Sequence, residues 1–206
     1  MKTLDYYYSV RSSFAYLGAA RIAALARRFG RTLVHKPVLL AVTLPPIGAQ
    51  PFEDRPPLRT AYMRRDLERC AARLEIPVLL EPVHHYGPSE LPSGIVIVAQ
   101  RAVRAGAAGD LDALSEGFLA AVWRDDRDIA DEAVIADLCQ AAGFDPAPLI
   151  VDALDADVQL ELSRNNREAT IRGVMGSPTY FVDGDNFFGQ DRLDFVARAL
   201  AAAADR

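Results

Sequence analysis

Strand-like sequence is confined to the two ends of this 206-residue chain, and the stretch between reads as helix or proline-rich connection. At the start, residues 3–10 (Thr-Leu-Asp-Tyr-Tyr-Tyr-Ser-Val) are rich in aromatic and β-favouring side chains, which suits a strand. Residues 13–29 follow with Phe14, Leu17, Ala20, Ile22 and Leu25 near helical spacing, and Gly30 as a stop. Residues 32–42 read as a second, mostly buried strand. A strand, helix and strand in this order form a crossover with parallel strands and a right hand. At the far end, Thr179-Tyr180-Phe181-Val182 and Asn186-Phe187-Phe188 flank Asp183-Gly184-Asp185, a strong hairpin signal. A last helix is expected from about Asp191 to Ala203.

Residues 43–58 carry prolines at 45, 46, 51, 56 and 57 and read as a loop of the long kind that often serves function. Met63, Leu67, Cys70, Ala71 and Leu74 then mark one face of an amphipathic helix, followed by a proline-rich connection at 77–92. Residues 95–173 read as helix in pieces, about 95–108, 110–124, 131–142, 146–153 and 156–173, with Asp110, Asp131 and Asp145 as caps or first-turn acids. The order β-α-β, helices, β-β-α is that of an α/β thioredoxin-like fold interrupted by an all-helical insertion. Residues 1–58 and 174–206 would supply its two thioredoxin-like parts, and 59–173 the insertion with its connecting loop.

Half the residues are apolar and a quarter charged, as in a globular protein with a sizeable core. The net charge of −5 argues against nucleic acid as a partner, because phosphate binding needs a basic surface. No apolar run is long enough to span a bilayer, and the N-terminus lacks an apolar signal core. A cytoplasmic location is expected. Cys70 and Cys139 lie far apart in helix-like patterns, so small buried side chains are expected rather than a disulfide or a metal framework.

In a thioredoxin-type site a Cys-x-x-Cys turn sits between the first strand and first helix. Here that turn is Ser9-Val10-Arg11-Ser12-Ser13, without cysteine. A hydroxyl cannot exchange disulfides, so thiol-disulfide oxidoreduction is rejected. A serine at a helix start is ordinarily an N-cap, but the two roles are compatible. A helix N-terminus offers free amides and partial positive charge, which stabilise a thiolate, and a hydroxyl adds a hydrogen bond to the charged form. The chain therefore reads as one that borrows its sulfur, most plausibly from glutathione. Pro178, before the hairpin, reads either as the first residue of an edge strand or as a cis-proline that leaves the Ser177 backbone open to an extended peptide. Gln190 and Asp191, at the start of the last helix, read as a cap or as contacts for the carboxylate and ammonium of a γ-glutamyl group. Arg59 and Asp66 are ordinarily solvated surface. Arg55, Arg59, Arg64 and Arg65 make that region locally basic. His84 and His85 read as surface residues with no metal spacing, and Trp123 as core.

The blocks Asp5-Tyr6-Tyr7-Tyr8, Ser12 to Gly18, Lys36 to Leu40, Ala61 to Leu67, Trp123, Arg127-Asp128-Ile129, Gly176 to Thr179 and Phe187 to Asp194 run nearly end to end. With them the chain resembles the 2-hydroxychromene-2-carboxylate isomerases and their relatives, the kappa-class glutathione transferases. The resemblance implies a DsbA-type thioredoxin fold with a helical insert, a homodimer, bound glutathione and an aromatic or conjugated-carbonyl substrate. It places the catalytic serine on Ser12. It puts the glutathione contacts on Ser177, Pro178, Gln190, Asp191, Arg59 and Asp66, and Ser13, Asp54 and Phe188 at the substrate pocket. Serine stands at 9, 13 and 177 where the family usually has Asp, Pro and Val, and Asp54 is the nearest counterpart of its loop asparagine. The expected activity is glutathione-dependent isomerisation in aromatic catabolism. The alternatives are a kappa-like transferase or peroxidase, and a non-catalytic ligand-binding thioredoxin fold.

Overall fold

The structure is a computed structural model and describes residues 2–50 and 54–204. Four strands form one sheet in the order β2-β1-β3-β4. The first strand, β1 (Thr3–Tyr8), pairs in parallel with β2 (Thr32–Pro37) across the helix α1 (Ser13–Arg28), as the crossover predicts. On its other side β1 pairs antiparallel with β3 (Thr179–Val182), which forms the Asp183-Gly184 hairpin with β4 (Asp185–Phe188). Asp183 and Gly184 both have positive φ, 50° and 97°, which two-residue hairpin turns demand and which Asp and Gly tolerate. Chain ends distant in sequence are thus adjacent strands.

The second strand is shorter than expected. It stops at Pro37, and Leu40–Thr43 forms a short helix, α2. Proline has no N–H for a ladder; the Val38 amide still donates to the Tyr8 carbonyl at 2.9 Å, and the α8 helix (Ala156–Ile171) supplies partners on either side of it. Leu39 N–H donates to Asn166 Oδ1 at 2.8 Å, and Asn165 Nδ2 donates to the Pro37 carbonyl at 3.4 Å. The outer edge of β2 is closed in the same way from α4 (Glu90–Arg104). Gln100 accepts from the His35 amide at 2.8 Å and donates to the His35 carbonyl at 3.0 Å. A side chain imitating a strand blocks edge-to-edge pairing there.

The remaining helices are α3 (Pro57–Leu74), α5 (Leu111–Trp123), α6 (Glu132–Ala141), α7 (Pro146–Asp152) and α9 (Leu193–Ala204). Asp110, Asp131 and Asp145 each accept a first-turn amide, at 2.9, 2.7 and 3.1 Å, as the caps of α5, α6 and α7. Of the loop prolines, Pro51 lies outside the described residues.

Tyr6, Tyr8 and Tyr180 stack in the core, with ring centroids 4.1 Å (Tyr6–Tyr8) and 5.5 Å (Tyr6–Tyr180) apart. The Ser115 hydroxyl donates to Tyr8 Oη at 2.7 Å, Tyr8 to His35 Nδ1 at 3.2 Å, and His35 Nε2 to Asp112 at 3.0 Å. These bonds satisfy the buried Tyr8 hydroxyl. No helix among the described residues is long and apolar enough to cross a membrane.

Candidate active site

The first helix begins at Ser13 because Ser12 caps it. Ser12 is extended, at φ −83° and ψ 121°, and its Oγ accepts the Ala15 amide at 3.2 Å. The cap leaves the Ser13 and Phe14 amides of the first turn without intrahelical acceptors. The Ser12 hydroxyl donates to the carbonyl of Ser177 at 3.2 Å, and the Ser177–Pro178 peptide is cis. Two segments 165 positions apart in sequence thus meet at one side chain. For an O–H···O bond 3.2 Å is long, so this contact is weak and open to exchange.

The serines at 9 and 177 belong to the same arrangement. The Ser9 amide donates to Ser177 Oγ at 2.9 Å, and Ser9 Oγ accepts from the Arg11 amide at 3.3 Å. Beyond Pro178, the Pro178 carbonyl accepts from the Gly189 amide at 2.9 Å, which brings the turn before α9 to the same end of the sheet. Gln190 there is only 2% exposed, and its Oε1 is held by the Arg21 guanidinium of α1 at 2.7 Å. Gly18 makes this approach possible. A Cβ on it would lie 2.6 Å from the Tyr180 hydroxyl and 3.2 Å from Gln190 Cβ. Asp191 is exposed and pairs with Arg192 at 2.9 Å.

Beside this turn opens a cleft of about 260 Å³. The start of α1 contributes Ser13 and Phe14, α3 contributes Thr60, Met63, Arg64 and Leu67, and α5 contributes Trp123. The connection between α3 and α4 contributes Leu80, Glu81, His85 and Tyr86. The floor is apolar, with a few polar groups at the rim, the usual composition of a small-molecule site. Of the expected pocket residues Ser13 lines the cleft, whereas Asp54 is exposed elsewhere and Phe188, 51% exposed, covers Gly176. Arg59 is exposed on α3 and Asp66 half-buried, and neither lines the cleft.

His85 is not the plain surface residue its sequence suggested. Its Nδ1 lies 2.5 Å from the Pro82 carbonyl, which only accepts, so Nδ1 carries the proton. Its ring packs 3.8 Å from that of Tyr86 and 5.8 Å from that of Trp123. Trp123 is core and cleft wall at once, with its indole N–H donating to the Arg11 carbonyl at 3.0 Å.

Arg11, adjacent to Ser12, has a side chain only 6% exposed. It donates to the Pro88 carbonyl from Nε at 3.3 Å and from a terminal nitrogen at 3.0 Å, to the His84 carbonyl, and to Asp128 at 3.3 Å. Burial lowers its very high pKa, and Asp128 opposes that shift. One guanidinium therefore fastens the cleft wall at His84–Pro88 to the turn that holds Ser12.

Both resident thiols are shifted away from the thiolate form. Burial pushes Cys139 up to about 11, and Cys70 is raised by burial and by the nearby carboxylate of Asp66. Neither cysteine belongs to the Ser12 turn.

A family model described as a DSBA-like thioredoxin domain matches residues 3–201. The chain belongs to the DSBA-like thioredoxin family. Among curated relatives, a 2-hydroxychromene-2-carboxylate isomerase from Sphingobium xenophagum is 28% identical over 204 residues, covering 97% of this chain and 98% of the relative. One from Pseudomonas sp. (strain C18) is 26% identical over 202 residues, covering 97% and 91%. These homologues support an isomerase. A solved 2-hydroxychromene-2-carboxylate isomerase superposes with a TM-score of 0.77 at 22% identity, covering 98% of this chain and 95% of that one. The cytosolic disulfide reductase DsbM from Pseudomonas aeruginosa, solved with GSH, shares the fold with a TM-score of 0.68 at 18% identity, covering 98% and 96%.

Proposed function

We propose that this family member is a glutathione-dependent isomerase of 2-hydroxychromene-2-carboxylate-type substrates, with Ser12 as its catalytic residue. One observation carries the reading. A cysteine-free helix N-terminus presents the Ser12 hydroxyl beside the backbone of a cis Ser177–Pro178 peptide, at the edge of an apolar cleft. The residues present fit a foreign thiolate. Free first-turn amides and the α1 dipole stabilise negative charge, and Ser12 holds its proton on a long, replaceable bond.

When bound, glutathione supplies a thiolate able to add reversibly to an alkene conjugated with a carbonyl, which leaves a rotatable single bond until the sulfur departs. The chain's own residues do the rest. Ser12 Oγ turns its proton from the Ser177 carbonyl to the sulfur and so favours the charged form. The Ser177 backbone is the pairing edge for the tripeptide's extended centre. Gln190, already oriented by Arg21, and Asp191 are the groups for its γ-glutamyl end. Phe14, Leu80 and Trp123 exclude water and offer apolar surface to an aromatic substrate.

The test follows the absorbance change of 2-hydroxychromene-2-carboxylate on isomerisation, with and without glutathione. Fast conversion that needs glutathione and returns it unconsumed is expected. Ser12→Ala should lower kcat by about 10²-fold, as when one donor to a developing charge is removed. Full turnover by Ser12→Ala, or conversion that ignores glutathione, would refute the assignment. Net consumption of glutathione would point to a transferase instead.

A further inference from the structure

The cleft holds one feature that stabilisation of a thiolate does not use. Arg64 on α3 forms an ion pair with Glu81 on the opposite, proline-rich wall, and both side chains line the cavity. Arg64 is the only Lys or Arg among the described cleft residues, whose surroundings are Phe14, Met63, Leu67, Leu80 and Trp123. The pair spans two walls that no continuous element joins.

Its energetics are those of a replaceable contact. Arg64 is 47% exposed and Glu81 63% exposed. Exposed pairs of long side chains contribute about 0–1 kcal/mol, because both ends are solvated and both lose rotamer freedom. A ligand carboxylate attached to an aromatic ring would offer the guanidinium the same charge and a bidentate geometry, while its ring buries apolar surface on the floor. Glu81 would then swing to solvent at little cost.

We propose that Arg64 is the carboxylate receptor of the cleft and that Glu81 is an internal placeholder competing with the substrate for it. The device sets specificity. An aromatic carboxylate displaces Glu81, whereas a neutral analogue of equal shape offers the guanidinium no charge, gains nothing from it and leaves the pair closed. The inference deepens the isomerase reading and rests on it for the identity of the substrate, but not for the chemistry of the site.

Two measurements separate the two claims. The first needs neither glutathione nor turnover. Trp123 is the chain's single tryptophan and lines the cleft, so its fluorescence reports occupancy. Titration with 3-phenylpropanoate and with 3-phenylpropanamide compares acid and amide on one ring. Wild-type protein should prefer the acid. Arg64→Met should weaken acid binding about tenfold or more, the cost of losing a charge-assisted bidentate partner, and leave the amide unchanged. Glu81→Gln should tighten acid binding a few-fold. Arg65→Met, on the same helix but paired with Glu68, should do nothing. The second measurement is steady-state isomerisation with saturating glutathione, in which Arg64→Met should raise KM for the chromene carboxylate with kcat nearly preserved.

Acid binding that is absent in the wild type, or equal in wild type and Arg64→Met, overturns the proposal. Arg64-dependent acid binding without turnover keeps the carboxylate site and sinks the isomerase reading. Turnover with an unchanged KM in Arg64→Met keeps the isomerase and sinks the carboxylate site.

Discussion

Removing the Arg11 guanidinium tests whether the Ser12 turn and the cleft wall are one mechanical unit. In Arg11→Met the stem is replaced by a chain of similar shape, and the donors to Pro88, His84 and Asp128 are lost. Asp128 is 42% exposed and rehydrates cheaply. The carbonyls of His84 and Pro88 lie in the seam against Arg11 and keep only part of their hydration. Breaking a buried ionic network costs about 3–5 kcal/mol, and one unsatisfied buried acceptor about 1–3 kcal/mol. Rehydration of Asp128 places the expected loss near the lower end, about 3 kcal/mol. For a chain of this length each kcal/mol moves Tm by about 2–4 °C, so a drop of about 6–12 °C is expected. Urea unfolding followed by Trp123 fluorescence measures it, with Arg65→Met as an exposed control expected to change stability by about 0.5 kcal/mol or less. Arg11→Lys keeps the charge but not the fork, and should fall between.

The pair also has a pH signature. The Ala130 amide, and then Arg11, hold the Asp128 carboxyl below its usual range. A depressed acid contributes stability that is full above its unfolded pKa, about 4, and lost as pH falls through the lower folded value. Arg11→Met removes one of those causes, so the gap between wild type and variant should narrow below about pH 4. A loss under about 1 kcal/mol at neutral pH would place Arg11 among ordinary surface arginines and refute the coupling.

Gly94→Ala should destabilise although Ala is the better helix former by about 1 kcal/mol. A Cβ there would lie 2.1 Å from the Ala153 carbonyl oxygen, so α4 and the end of α7 must separate, and thermal melts should show a net loss of about 1–3 kcal/mol. Tyr180→Phe should be neutral or stabilise by up to about 2 kcal/mol, because the Tyr180 hydroxyl is buried without a hydrogen-bond partner, as denaturant titration would show. Cys70→Ser with Cys139→Ala should leave glutathione-dependent turnover intact in the absorbance assay, since both thiols are held in the protonated form; a collapse of kcat would give one of them a catalytic role.

Most helices and strands were legible where they carry their own punctuation; α4, which has no side-chain cap, was expected at about 95–108 and runs instead over Glu90–Arg104, inside the expected connection at its start. Asp110, Asp131 and Asp145 cap helices, Gly30 follows α1 at a φ of 60°, and Asp183-Gly184 makes the hairpin. The second strand was misjudged because Leu39 to Val42 has strand-like composition, while the pairing with β1 ends at Val38, whose amide donates to the Tyr8 carbonyl. The Leu39 amide bonds instead to Asn166 and the Pro37 carbonyl to Asn165 of α8, a tertiary contact that composition does not encode. The site divides in the same way. Ser12 and Ser177 could be paired in advance, since a strand-to-helix turn and a proline before a strand each have local form. Cleft residues Arg64, Glu81 and His85 could not be grouped. They come from a helix face and from an aperiodic connection, which is held in place by tertiary bonds from Arg11, Tyr16, Trp123 and Asp126.

Two of the three serines that depart from the pattern of the resemblance, Ser9 and Ser177, are coupled to one another. Ser177 Oγ accepts the Ser9 amide, and Ser9 Oγ accepts the Arg11 amide, so the backbone of the turn is held by hydroxyls. A valine at 177 would offer the Ser9 amide no acceptor, and an open buried amide is costly. Side-chain drift in a disused site would leave such groups unmatched rather than paired across 168 positions of sequence. The pairing also spares Ser12. With the Ser9 and Arg11 amides already satisfied by neighbouring hydroxyls, Ser12 Oγ serves only the Ala15 amide as an acceptor, and its proton is committed to nothing stronger than a 3.2 Å contact. A hydroxyl whose proton is weakly held at a helix N-terminus can be redirected to an incoming anion without breaking the turn that carries it.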